Sequence, residues 1–232
     1  MIKVRKSNDR GDANHGWLKS RHTFSFADYY DAAFIGFRSL RVINQDIVAP
    51  GMGFGTHPHR DMEIFSYVLE GTLEHKDSLG NGRQLKPGQI QLMSAGRGVT
   101  HSEYNPSATE PMHFLQIWIM PAVRGLVPSY TEWHPKAGTG DSAKVLVISP
   151  DGRDDSATIH QDAEVWRIRL EAGASTTHNL KAGRGLWLQV ISGKLSLNNT
   201  PLEAGDGAST ETAGDVVLVA GERVEALLFD LK

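Results

Sequence analysis

Two short clusters of metal-ligating side chains constrain this chain more than any other feature. The first is Thr56-His57-Pro58-His59-Arg60-Asp61-Met62-Glu63. The second, His101-Ser102-Glu103, begins 42 residues after His59. In each cluster the candidate ligands sit at i and i+2, and a β-strand puts such residues on one face. Two strands of this kind, facing each other across a small barrel, would aim His57, His59, His101 and Glu103 at one point. Nitrogen and oxygen ligands of this sort suit a divalent first-row transition metal. A lone His is usually a surface or core-edge residue, and His75, His134 and His160 are read that way. Glycines precede both clusters, Gly51, Gly53 and Gly55 before the first and Gly96 and Gly98 before the second.

The remainder of the chain agrees with an all-β fold. Short runs rich in Val, Ile, Leu, Phe, Tyr or Trp recur at Ser39–Ile43, Glu63–Leu69, Leu73–His75, Gln89–Met93, His113–Met120, Lys144–Ile148, Glu164–Leu170, Leu186–Ile191, Lys194–Leu197, Asp215–Val219 and Ala226–Asp230. Turn-forming clusters such as Ser78-Leu79-Gly80-Asn81-Gly82 and Lys86-Pro87-Gly88 separate them. Short strands at this spacing argue for sandwiches or barrels. Only Ala27–Phe34 has short-helix character. A chain of 232 residues can hold one large all-β domain or two smaller ones.

A weak internal repeat favours two. The stretch beginning Tyr67-Val68-Leu69-Glu70-Gly71 resembles the one beginning Gln189-Val190-Ile191-Ser192-Gly193. Gly71 aligns with Gly193, and Pro87-Gly88 aligns with Ala204-Gly205. The second copy has His178 but neither an H-x-H nor a later His–Glu pair, so the ligands allow one metal site. The expected division is a metal-binding domain over 1–130, a linker over 131–143 rich in Pro, Gly, Ser and Thr, and a metal-free domain over 144–232.

Composition excludes several classes. There is no Cys, hence neither disulfides nor thiolate ligands. The net charge is −3 with acids and bases interspersed, and no basic stripe tracks phosphates, so nucleic acid is not expected as a direct partner. No apolar run reaches the ~18 residues that span a membrane. Met1-Ile2-Lys3-Val4-Arg5-Lys6 has no apolar core of a signal peptide. A soluble cytoplasmic protein, monomeric and with no membrane partner, is the expectation.

The ligand clusters resemble the two motifs of the cupins. Gly51, His57, His59, Glu63 and Gly71 match the first motif, with one extra residue before the final Gly. Gly98, His101 and Asn105 match the second, where Gly96 stands in place of Pro and the leading Gly is displaced to Gly88. Longer stretches are similar to the pirin family: "HTFSFADYYD", "LRVINQD", "GFGTHPHRDMEIFSYVLEGTLEHKDSLGN", "MSAGRGVTHSEYN" and "LQIWIMP". Within it the resemblance is to bacterial members with quercetin 2,3-dioxygenase activity. It implies two tandem cupin barrels (double-stranded β-helix, or jelly-roll), the first with metal and the second without.

The resemblance also implies the ligand set His57, His59, His101 and Glu103. Geometry alone leaves the carboxylate open, since Glu63 has the parity of His59 if the strand is continuous. With Glu103 as ligand, Glu63 becomes a candidate for orienting a ligand imidazole. Either carboxylate is a candidate catalytic base. Fe(II), Mn(II), Ni(II), Co(II), Cu(II) and Zn(II) all accept such ligands; the resemblance favours Fe(II). It implies a flavonol substrate and O₂, with opening of the central ring and loss of carbon monoxide. Phe114, Gln116 and Trp118 share one strand face and could wall the site, although core packing is the simpler role for Phe114, Phe24 and Phe26. Pro58 would stiffen the strand between two ligands. The competing reading, also implied by the family, is a metal-dependent regulatory protein that binds a partner protein, as a transcription coregulator or a metabolic-enzyme modulator, without turnover. A sugar isomerase or other cupin enzyme is a third.

Overall fold

Alternation of buried with more exposed side chains marks a strand lying over a core, and it runs clearly through Leu18–His22 and Val99–Tyr104. The computed structural model describes residues 1–136 and 142–232. Its strands begin with β1 (Lys3–Arg5), β2 (Gly11–Asn14), β3 (Leu18–His22), β4 (Leu40–Val48), β5 (Gly53–His59), β6 (Glu63–Glu70) and β7 (Leu73–Asp77). They continue with β8 (Gly82–Leu85), β9 (Ile90–Ser94), β10 (Val99–Tyr104), β11 (Met112–Ile119), β12 (Ser129–Trp133), β13 (Lys144–Ser149) and β14 (Ala157–Thr158). The last are β15 (Ala163–Leu170), β16 (Ser175–Leu180), β17 (Gly185–Ser192), β18 (Lys194–Leu197), β19 (Thr200–Glu203), β20 (Gly207–Thr210), β21 (Gly214–Ala220) and β22 (Val224–Leu231). Helix among the described residues amounts to two single 3-10 turns, Ser7–Asp9 and Arg153–Asp155.

The expected helix at Ala27–Phe34 is absent, and its residues form turns. Ala27 takes a φ of 48°, and Phe26 and Tyr29 exchange backbone hydrogen bonds. The backbone N–H of Asp31 donates to Ser25 Oγ at 2.8 Å, and that of Ala33 to Asp31 Oδ1 at 3.0 Å. Short polar side chains that bind the backbone locally compete with helix.

Two compact units result. The first comprises Gly11–Pro135 with Ala157–Gln161, and the second Met1–Arg10, Lys136–Ser156 and Asp162–Lys232. The division is thus less simple than cuts at 130 and 144. The chain start joins the second unit because β1 pairs antiparallel with β20, while Lys6 Nζ and Ser7 N both bind the Asp206 carboxylate. Ala157–Gln161 joins the first, where His160 N donates to Glu63 and Gln161 Nε2 to the Met120 carbonyl. Of the expected linker, Thr131–Trp133 lies in β12, and 137–141 falls outside the described residues.

Each unit pairs a large sheet with a four-stranded one. In the first the orders are β12-β9-β6-β11-β4-β3-β2 and β5-β10-β7-β8. In the second, β20-β17-β22-β15 repeats β9-β6-β11-β4, and β16-β21-β18-β19 repeats the small sheet. The repeat is therefore a repeat of topology, and both units are jelly rolls. Gly71 and Gly193 occupy the same turn with φ of 76° and 78°. A Cβ there would lie 2.7 Å from the Pro111 carbonyl oxygen and 2.1 Å from that of Arg223, so only glycine fits both the conformation and the space. In the first unit Leu18, Val48, Val68, Leu73, Leu85, Met112 and Phe114, drawn from both sheets, form one core cluster. At about 1.5–3 kcal/mol per fully buried apolar side chain, such a core contributes substantially to holding the two sheets together.

Candidate metal centre

The small sheet of the first unit brings the two clusters together. β10 lies between β5 and β7, with His101 opposite both His57 and Asp77, and Glu103 opposite His75. The i, i+2 spacing holds: His101 and Glu103 are both 1% exposed on one face of β10. Between them the register to β5 shifts, so that Glu103 pairs with Phe54. Such a bulge redirects side chains next to functional sites. Pro58 sits on the sheet edge, where its missing N–H interrupts no inner ladder.

Ligand atoms of His57, His59 and His101 lie within 4.8 Å of one another, as do those of His75, His101 and Glu103. His101 belongs to both groups. His57 Nδ1 donates to the Gly55 carbonyl at 2.7 Å, which leaves its Nε2 as a bare lone pair, 3.2 Å from His101 Nε2. Two nitrogens bound at about 2.0–2.1 Å to one cation, at angles of about 90–110°, lie about 2.8–3.4 Å apart. The donor set therefore fits one divalent metal.

The carboxylate is held by three donors. Glu103 Oε1 accepts from Ser66 Oγ and Gln91 Nε2, each at 2.7 Å, and Oε2 accepts from Gln116 Nε2 at 2.5 Å. Burial, then the neighbouring His101 and His57 rings, lowers the His59 pKa to about 4; burial, then His57 and His75, lowers that of His101 to about 3. Both rings are neutral near pH 7, the form that binds a metal.

His57, His59, Glu103, Gln116 and Trp118 line one pocket with Phe26, Phe54 and Leu18. The Trp118 ring meets His59 edge-on at 5.0 Å and Phe26 at 5.5 Å. Phe114 is fully buried in the core, as is Phe24 at 1% exposure, whereas Phe26 reaches the pocket instead of simply packing.

Glu63 lies elsewhere. β5 ends at His59, Asp61 takes a φ of 51°, and β6 starts in the other sheet, so the parity argument from a continuous strand does not hold. The Glu63 carboxylate accepts from Ser94 Oγ at 2.7 Å and from the His160 backbone at 3.2 Å, with His160 Nδ1 at 3.6 Å. It touches none of the candidate ligands and fastens Ala157–Gln161. His160 is thus a structural partner of a buried carboxylate. His75, read as a peripheral His, is fully buried beside His101, with Nε2 3.1 Å from Asp77 and its ring stacked on Tyr130. The signal for it was its place two residues before Asp77 on an alternating strand.

Among the described residues, both groups able to share an ion are in the first unit. In the second, β16 and β21 set Thr177 against Val217 and His178 against Val216. His178 is taken up by Asp230 at 2.7 Å and Lys144 at 2.9 Å.

The family model for pirin matches residues 3–119. The chain belongs to the pirin family. A model described as the quercetinase C-terminal cupin domain matches residues 146–231, so this pirin carries two cupins. The quercetin 2,3-dioxygenase of Escherichia coli (strain K12) is 51% identical over 231 residues, covering 100% of this chain and 99% of that protein. A pirin-like protein of Caulobacter vibrioides is 41% identical over 234 residues, covering 99% of each. The crystal structure of the bacterial pirin YhhW from Escherichia coli in complex with nickel(II) superposes with a TM-score of 0.95 at 50% identity, covering 100% of this chain and 99% of that one.

Proposed function

We propose that this pirin is a dioxygenase that opens the central ring of flavonols such as quercetin, consuming O₂ and releasing carbon monoxide. The observation that carries the reading is the group of His57, His59 and His101 with the hydrogen-bonded Glu103, next to a pocket whose lining includes Phe26, Phe54 and Trp118. The 51% identity to a protein named quercetin 2,3-dioxygenase supports it. His57, His59, His101 and Glu103 would hold one Fe(II), with Ni(II) as the alternative that the YhhW complex supports.

When bound, the metal supplies Lewis acidity that lowers the pKa of a substrate hydroxyl. The chain's own residues do the remainder. Ser66, Gln91 and Gln116 fix Glu103. Trp118 and Phe54 offer flat apolar surface to an aromatic ring and keep water out.

Oxygen uptake on a panel of flavonols, with metal-loaded protein, tests this. Uptake should be stoichiometric with flavonol consumed, vanish in Glu103→Ala, and fail with a 3-O-methyl flavonol. If the loaded protein consumes no oxygen with any flavonol, or cleaves the 3-O-methyl compound equally well, the mechanism is wrong. A redox-dependent affinity for a protein partner would then favour the regulatory reading.

A further inference from the structure

Part of the pocket lining comes from two strands that carry no candidate ligand. β3 and β4 run antiparallel, with Ser20 opposite Asp46 and His22 opposite Asn44. All four line the pocket of His57, His59 and Glu103, and none is more than 5% exposed. Four polar side chains buried beside Phe54 and Trp118 are costly unless they are paired or used.

Their hydrogen bonds run one way. His22 Nδ1 lies 2.8 Å from Asn44 Oδ1 and 3.3 Å from Ser20 Oγ. Protonated at Nδ1, it donates to both, and Ser20 Oγ then donates to Asp46 Oδ1. That is the one hydrogen bond the Asp46 side chain has among the described residues, where Glu103 has three. Glu103 is taken up by these donors and, in the reading above, by the metal; Asp46 has lone pairs left for a substrate.

We propose that Asp46, held by Ser20 and His22, is the proton acceptor for a substrate hydroxyl in this pocket. The inference rests on the oxygenase reading above. The substrate O–H bond breaks, an O–H bond forms on Asp46, and the electron pair stays on the substrate oxygen, so the step itself consumes no oxidant. Burial is the main cause that pushes the Asp46 pKa up to about 7; the Ser20 hydrogen bond opposes it and the Glu103 charge adds to it. A carboxyl group poised near neutrality both takes and returns a proton. The other titratable groups on the pocket are His15, His22 from β3, His57 and His59 from β5, and Glu103 from β10, while β11 presents the uncharged Gln116 and Trp118.

Anaerobic binding of quercetin to the metal-loaded protein reads the proton directly, because a deprotonated flavonol absorbs at longer wavelength. Wild type should show the shift near neutral pH. Asp46→Asn should keep its full metal content, bind quercetin without the shift, and lose about 100-fold or more in kcat. Ser20→Ala, which keeps the carboxylate, should move the pH at which the shift appears, and it carries the test if Asp46→Asn fails to fold. Wild-type turnover with both variants unchanged in spectrum and rate overturns this inference alone. A wild type that turns over no flavonol overturns the oxygenase reading and this inference with it.

Discussion

His57 Nε2 and His101 Nε2 stand 3.2 Å apart although 44 positions separate the residues in the chain. The lone pair of His57 is freed for this position by the bond from its Nδ1 to Gly55. Two imidazoles brought so close gain from a cation between them. His57→Ala or His101→Ala should cut metal affinity by well over the ~10–100-fold typical of an outer partner. The fold should persist, since the core clusters contain neither residue. Metal content per chain and a thermal melt check both; unfolding on chelation would count against the second claim.

Gln116 spans pocket and carboxylate, donating to Glu103 Oε2. Gln116→Ala should leave every candidate ligand in place yet lower metal affinity or activity by about 10–100-fold. A metal titration with unchanged midpoint would show that Glu103 needs no such support.

Glu63 binds Ser94 and His160, not the histidines of the centre. Glu63→Ala should therefore destabilise the protein by about 1–3 kcal/mol, the cost of stranding buried donors, and leave the metal stoichiometry as it was. Denaturant unfolding and metal analysis separate the two effects. A variant that melts normally but loses its metal would return Glu63 to the site.

Acid should weaken the metal-free protein through His59 and His101. Their pKa values, lowered to about 4 and about 3 by burial first, lie below the ordinary imidazole value of about 6.5. As pH falls below that value the unfolded chain takes up protons before the native one does. Stability is thus complete above about 6.5 and declines down to the two lowered values. Unfolding midpoints at stepped pH should trace that slope, and His59→Gln should flatten it. An equal slope in the variant would place the proton uptake elsewhere.

Strand reading succeeded where the inward face is apolar. Lys194–Leu197 has the bounds its Leu spacing predicts, and Glu63–Leu69 differs from β6 by one residue. It failed at β3, Leu-Lys-Ser-Arg-His, and at β16, Ser-Thr-Thr-His-Asn-Leu. β3 alternates in burial as regularly as any strand, but two of its three inward residues are Ser20 and His22, which no hydrophobic pattern registers. The pocket is thus hidden from periodicity by its own polarity. Among the site residues, the spacing on β5 and β10 made the candidate pairs legible. His75 was passed over although Asp77, two residues on along the same strand, is its partner, because a lone His beside an Asp has no ligand spacing of its own. Glu63 misled because Asp61 ends the strand on which its parity was counted.

The pairing of Lys3 with Ser209 has a consequence for synthesis. At about 5–20 residues per second, about 10–40 s pass between translation of the first strand and that of its neighbour. Throughout that interval the leading segment stays tethered to a growing chain, with its edge exposed to every other nascent polypeptide nearby. Lys3, Arg5 and Lys6 make it a poor template for foreign pairing, as charge does on exposed edges generally. The charge on these three residues is in place before their partner strand exists.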